Sequence, residues 1–353
     1  MPTVRGAATV RFSAPGAPST KKRVAPWHRV LVWAQRPRPV AASLLSSGTA
    51  RYTGAMPHVV TQPPFSFFGS AHLPGRPDAP MEVHVIPVWE DNYAFILVCR
   101  QTGEAAVVDA PEAKVVLEHA ASCGLRLATI LNTHTHADHI GINRALQKAG
   151  KLEEFRVFGC AGRGIPGLTD PVEEGSTFQL GALPVRVMQT EGHQDGHVSF
   201  VVGDVVFCGD TLFAGGCGYL FDGPPAKMYT SLHRLAALPP QTRVCCAHEY
   251  TLDNLKFAWS VEPDNQDLAR RIVEVRAQRA LGRATVPSTI EVERATNPFL
   301  RTESPTLRVR VAAGLQAAGR SEAMDTPVDV FTATRILKDL KHYRALPEAD
   351  LPV

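Results

Sequence analysis

Leu125-Arg126-Leu127-Ala128-Thr129-Ile130-Leu131 runs directly into Asn132-Thr133-His134-Thr135-His136-Ala137-Asp138-His139. The first seven residues have the length and apolar content of a buried strand, and Asn132 closes it. The next segment places four side chains able to ligate a metal within six positions, His134, His136, Asp138 and His139. Neither helical nor strand periodicity puts all four on one face. A loop must therefore fold around something, and imidazole with carboxylate suits zinc, iron or manganese. Scattered surface histidines do not account for such a density at this spacing.

Further along, three more candidates stand beside apolar runs. His193 lies in Thr190-Glu191-Gly192-His193-Gln194-Asp195-Gly196-His197 ahead of a strand. Asp210 follows one in Phe207-Cys208-Gly209-Asp210-Thr211, and His248 follows another in Cys246-Ala247-His248-Glu249-Tyr250. Singly each is weak, because a lone histidine at a strand end is more often structural. A shared place at strand ends raises them, since scaffolds present chemistry in such loops. His197 either supports this group or lines a pocket. Asp195 reads as a turn residue.

Around these motifs, Glu82–Val88, Ala94–Val98, Ala105–Val108, Val185–Met188, Val198–Val202 and Val205–Cys208 read as strands. Gly203-Asp204 is a tight hairpin turn between the last two. Pro111–Cys123 has helical spacing, with Pro111 tolerated in the first turn. After Glu249 the texture becomes helical, over Asp264–Leu281, Pro305–Ala318 and Asp329–Arg344. The division expected is a β-rich unit over residues 81–248 and a helical one over 249–353.

The chain has 353 residues, 44% hydrophobic and 20% charged, which is the composition of a globular enzyme. A net charge of +3 makes no case for nucleic acid, and no apolar run is long enough to span a membrane. Seven scattered cysteines, none in C-x-x-C spacing, argue for a reducing compartment and against a disulfide framework. Cys245 and Cys246 read as plain strand residues.

Met1 to Pro77 contains no Asp or Glu but carries ten Arg and Lys residues among many Ala, Ser and Pro. That composition reads as an organellar transit peptide or as an extension ahead of a true start at Met56 or Met81. Residues 1–80 are excluded from the fold on either reading. The expected location is intracellular: mitochondrion or plastid with a transit peptide, cytoplasm with a start near Met81.

The T-H-x-H-x-D-H loop, the later Gly192-His193, Gly209-Asp210-Thr211 and His248-Glu249-Tyr250 together resemble the metallo-β-lactamase superfamily. Within it, Gly209-Asp210-Thr211-Leu212-Phe213, Gly216-Cys217-Gly218, Asn254-Leu255-Lys256-Phe257-Ala258 and Asn297-Pro298-Phe299-Leu300-Arg301 resemble the hydroxyacylglutathione hydrolase (glyoxalase II) family. The resemblance covers nearly everything from Met81 onward. It implies an α+β fold, an αββα sandwich with a C-terminal helical domain. It also implies that His134, His136 and His193 hold one metal, that Asp138, His139 and His248 hold a second, and that Asp210 bridges them. Asp138 and Asp210 are then the catalytic carboxylates.

Two divalent metals, zinc first and iron or manganese as substitutes, would turn a shared water into hydroxide near neutral pH. Attack on the thioester of an S-(2-hydroxyacyl)glutathione, such as the D-lactoyl form, would complete the second step of methylglyoxal detoxification. A thiol leaving group of pKa about 8.5 needs no strong general acid. The resemblance further implies substrate contacts from Tyr250, Arg335 and Lys338; Tyr219 and Phe221 are separately expected to line the pocket, and a monomer is expected. Three departures stand out: Tyr219 occupies a place commonly basic, Glu191 one commonly proline, and Gln194 one commonly threonine. The competing expectation is an iron persulfide dioxygenase of the same superfamily, which has no helical C-terminal part.

Overall fold

The structure, a computed structural model, describes residues 63–69 and 80–353. The reading of Met1–Pro77 as a targeting segment falls almost entirely outside them.

One sheet joins β1 (Phe65–Gly69), β2 (Met81–Val88), β3 (Asn92–Cys99), β4 (Glu104–Val108), β5 (Arg126–Leu131), β6 (Arg156–Cys160) and β7 (Asp170–Val172), in that order. Strand β1 pairs antiparallel with β2 from Phe65↔Val85 to Gly69↔Met81. The sheet therefore begins before Met81, which corrects the exclusion of everything up to residue 80: the apolar run beside a pairing edge was overlooked.

Period-two alternation splits this sheet cleanly. Phe95, Leu97 and Cys99 face one core, while Ala94, Ile96 and Val98 face another with Val116, Ala120, Ile142 and Leu146. Those last four residues belong to α1 (Ala113–Ser122) and α2 (Gly141–Lys148), which form the outer layer on that side.

The second sheet has the order β15-β14-β11-β10-β9-β8. Its strands are β8 (Thr177–Leu180), β9 (Leu183–Gln189), β10 (Val198–Val202), β11 (Val205–Gly209), β14 (Arg243–Cys246) and β15 (Ser288–Thr289). Every residue of β10 and β11 is buried, so both faces of this sheet are covered. Gly203, with φ +55°, takes the first central place of the turn between them. A short ribbon, β12 (Leu212–Phe213) with β13 (Gly216–Cys217), leaves the end of β11.

Helix α3 (Pro225–Ala236) follows, and the C-terminal part supplies α4 (Thr251–Val261), α5 (Gln266–Ala280), α6 (Ile290–Thr296), α7 (Pro305–Ala317) and α8 (Pro327–Asp339). This part is woven into the sandwich. Strand β15 pairs with β14 through Arg243↔Thr289 and Val244↔Ser288, and Phe257, Phe299 and Phe331 join the same core as Phe200 and Phe207. The helix expected to run to Arg344 stops at Asp339, because Lys341 turns left-handed at φ 60° and a 3-10 turn over His342–Ala345 follows.

Candidate metal centre

The strands put their C-terminal ends together. Strands β4 and β5 are parallel, as are β11 and β14, and β9 runs with β11 because each is antiparallel to β10. Asp109, Asn132–His139, His193, Asp210 and His248 therefore emerge at strand ends. The two sheets are tied there by Tyr93 N–H donating to Ala247 O at 2.7 Å and Val198 N–H to Thr133 O at 2.9 Å.

All seven sequence candidates converge in two groups. In the first, His136 Nδ1 lies 3.0 Å from His134 Nε2 and 2.9 Å from His193 Nε2, with Asp210 alongside. In the second, Asp138 Oδ2 lies 3.6 Å from His139 Nε2 and 3.3 Å from His248 Nε2. Asp210 faces both. Its Oδ2 is 3.5 Å from His193 Nε2, while its Oδ1 is 3.3 Å from His139 Nε2 and 3.5 Å from His248 Nε2.

This donor set fits divalent cations. Three imidazole nitrogens crowd one point in a way that pairwise hydrogen bonds cannot satisfy. Asp210 Oδ1 and His139 Nε2 are buried without a hydrogen-bond partner. The electrostatics say the same. Burial opposes a charge on His139, yet Asp210 and Asp109 outweigh it and hold the pKa at about 10. His248 is likewise raised against its burial, chiefly by Asp210. Burial penalises a charged Asp210, but His248 and His139 keep it ionised. Conversely, burial holds His134 and His193 in the neutral form, which is the form that ligates.

Each ligand is oriented from behind. His139 Nδ1 meets Asp109 Oδ2 at 2.9 Å, His248 Nδ1 meets Asp91 Oδ1 at 3.0 Å, and His193 Nδ1 donates to Tyr219 O at 2.9 Å. Asn92 Nδ2 donates to Asp138 Oδ2 at 3.1 Å. Asp109 also accepts from Thr133 N–H at 2.9 Å and Thr133 Oγ1 at 2.7 Å, and adopts φ 44°, uncommon outside glycine.

His197 belongs behind the centre and does not line the cavity. Its ring stacks on His134 with centroids 4.8 Å apart. Its Nε2 accepts from Asp210 N–H at 3.3 Å, which places the ring proton on Nδ1, facing Thr190 and Thr211. Gly209, at φ +47°, allows this closeness: a Cβ there would sit 2.4 Å from Thr133 Oγ1 and 2.8 Å from His197 Nε2. Two of the departures are also built in. Gln194 Oε1 accepts from Thr135 N–H at 2.9 Å and Oγ1 at 2.7 Å, and Glu191 Oε1 accepts from Gly196 N–H at 2.7 Å.

A cavity of about 730 Å³ opens over the centre and reaches α8. Basic residues on an amphipathic helix usually face solvent, but Arg335 and Lys338 turn inward, 4% and 7% exposed. Arg335 donates to Cys217 O at 3.2 Å and pairs with Asp339, and Lys338 Nζ donates to Asn254 Oδ1 at 2.5 Å. Tyr219 and Phe221 are exposed at the mouth. Tyr219 lies under the Arg335 guanidinium at 5.1 Å, and Phe221 stands 5.4 Å from the His136 ring. Tyr250 stacks on His248 with rings nearly parallel and centroids 4.7 Å apart.

Sequence reasoning missed Asp91, Asn92 and Asp109 behind the ligands, and Asn254 and Tyr343, which line the cavity beside Lys338. Asp91 and Asn92 have the composition of an ordinary turn, whereas Asp109 gives a usable signal as an acid ending an apolar strand. Tyr343 gives none.

Comparison with known proteins places this architecture. Residues 162–248 match the metallo-beta-lactamase superfamily model, and residues 249–340 match the model described as hydroxyacylglutathione hydrolase C-terminus. A protein named hydroxyacylglutathione hydrolase from Synechocystis sp. is 44% identical over 268 residues, spanning 73% of this chain and 99% of that protein. Its namesake from Gloeobacter violaceus is 47% identical over 262 residues, with the same 73% and 99% coverage. A third, from Alkalilimnicola ehrlichii, is 45% identical over 262 residues, covering 73% of this chain and 98% of that protein. The helical C-terminal match is what the dioxygenase expectation lacks. With its seven-residue His/Asp cluster on an αββα sandwich and its helical C-terminal part, this chain belongs to the hydroxyacylglutathione hydrolase family of the metallo-β-lactamase superfamily.

Proposed function

We propose that the chain hydrolyses the thioester of S-(2-hydroxyacyl)glutathione, such as S-D-lactoylglutathione, releasing a 2-hydroxy acid and glutathione. The observation that carries this reading is one cavity joining the seven-residue centre to the inward-facing Arg335 and Lys338. A reactive centre at one end and two cations at the other suit a thioester whose thiol partner ends in a carboxylate.

His134, His136 and His193 would hold one metal, Asp138, His139 and His248 the other, and Asp210 both, with zinc the proposed element. Bound there, divalent metals supply Lewis acidity to the carbonyl oxygen and lower the pKa of water. The chain does the positioning. Arg335 offers a planar fork and Lys338 a point charge to the glycine carboxylate of the carrier. Tyr250, its pKa pushed up to about 12 chiefly by burial, remains a neutral hydroxyl donor. Tyr219 and Phe221 shield the mouth from water. Asp138 stays an anion, because His248 and His139 override the burial that opposes its charge.

The deciding experiment measures thiol release from S-D-lactoylglutathione by the purified protein, with metal analysis of the same sample. Two metals per chain and catalytic thiol release support the reading. One iron with oxygen uptake, or no thiol release at full metal loading, overturns it. For the part of the N-terminal extension ahead of β1 we propose an organellar targeting role, which N-terminal sequencing of the cellular protein tests: an intact Met1 excludes cleavage. Among the described residues no helix is long and apolar enough to cross a membrane.

A further inference from the structure

On the opposite side of the first sheet from the active centre, β2 and α1 face each other across an apolar layer. The β2 residues on that side alternate as Glu82, His84, Ile86 and Val88, and Ile86 and Val88 pack with Val116 and Ala120 of α1. His84 interrupts the pattern. It is 7% exposed, and its Nδ1 points at His119 Nε2, 3.0 Å away, on the last turn of α1. Cys123, one turn beyond His119, brings its Sγ to 3.7 Å from the same nitrogen. The ligating atoms of all three residues lie within 4.8 Å of one another.

We propose that His84, His119 and Cys123 form a separate site for a zinc-class divalent cation, with a fourth position open to solvent. The distances fit that chemistry. Tetrahedral zinc with bonds of about 2.0–2.1 Å to nitrogen and about 2.3 Å to sulfur sets its ligand atoms roughly 3.4 Å (N to N) and roughly 3.6 Å (N to S) apart. The 3.0 Å separation between His84 and His119 equals that between His134 and His136 in the active centre.

Tautomer and field agree as well. His84 Nε2 has no hydrogen-bond partner but lies 3.6 Å from Glu82 Oε1, so the carboxylate draws the ring proton to Nε2 and leaves the Nδ1 lone pair facing the cluster. Burial lowers the pKa of both His84 and His119, favouring the neutral, ligating form. The carbonyl end of α1 adds a negative pole beside the cation. Burial falls from His84 through His119 to the exposed Cys123, which gives an entry path. A cation there would clamp the end of α1 to the β2 strand.

Cobalt tests this independently of the hydrolase reading, because the active centre contains no sulfur ligand. The reduced, metal-stripped full chain is loaded with Co2+ and freed of excess. The expected result is a near-ultraviolet thiolate-to-cobalt absorption band, lost together with one equivalent of cobalt in Cys123→Ser and in His119→Ala. Thioester hydrolysis by zinc-loaded Cys123→Ser should match the parent. Absence of the band in the parent, or its persistence in Cys123→Ser with unchanged cobalt content, overturns the proposal.

Discussion

Lys338→Met isolates the grip on the thiol carrier. The ammonium is buried, lies 5.2 Å from the Phe257 ring and 5.4 Å from that of Tyr343, and has Asn254 Oδ1 as its hydrogen-bond acceptor. Burial first, and then the charge of Arg335, lower its pKa to about 7 against the opposing pull of Asp253. Methionine replaces it at similar volume without charge. A charge-assisted hydrogen bond is worth about 1.5–3 kcal/mol, and at about 1.4 kcal/mol per decade KM should rise roughly 10- to 100-fold. The kcat should hold within about two-fold, because this contact is made equally in ground and transition states.

The sign with pH follows from the lowered pKa. Lys338 is charged below about pH 7 and loses its proton as pH rises, so the ratio of mutant to parent KM should be largest near pH ~6 and shrink by pH ~8. The assay is steady-state thiol release from S-D-lactoylglutathione across that range. An unchanged KM at the acidic end, or a KM ratio flat with pH, would refute the reasoning. The melting temperature should not fall, since the substitution removes a charge that burial penalises.

Asp210→Ala should strip metal and activity together, beyond the ~10–100-fold that losing an outer partner costs; full activity with two metals retained would end the bridging assignment. Asp109→Asn should weaken metal affinity ~10–100-fold, because it loosens His139 and Thr133 at once; competition against a chelator measures this. Phe299→Ala should cost ~3–5 kcal/mol in denaturant unfolding, as the ring is fully buried beside Phe257 and Phe331.

Much of this centre was legible because its chemistry is dense and local. His134 to His139 must leave regular structure, and the apolar runs marked out β2, β3, β4, β5, β9, β10 and β11. The residues that hold the ligands were harder to see. Asp91 and Asn92 look like any turn, and it is backbone pairing across the two sheets, Asn92 with His248 and Glu249 N–H with Asp91 O, that brings them near. The inward turn of Arg335 and Lys338 was equally hidden, since an amphipathic period does not say which polar residues line a cavity. Helices α2, α3 and α4 and strand β6 were not delimited from sequence. Strand β1 was missed although its partner β2 is the next strand in sequence, because it is a short run in a segment whose composition reads as an extension.

All seven candidate ligands precede Glu249, and both inward cations of α8 follow it. That separation suggests a route to altered thiol-carrier preference, in which the last third of the chain is exchanged and the reactive end kept. The exchange would not be a simple graft. Glu293 accepts from Gly215 N–H at 2.8 Å, Asn297 donates to Gly216 O at 2.9 Å, and Ser288–Thr289 completes the second sheet. A chimera must import those seams with the helix, or the ribbon that carries Cys217 and Tyr219 would lose its support.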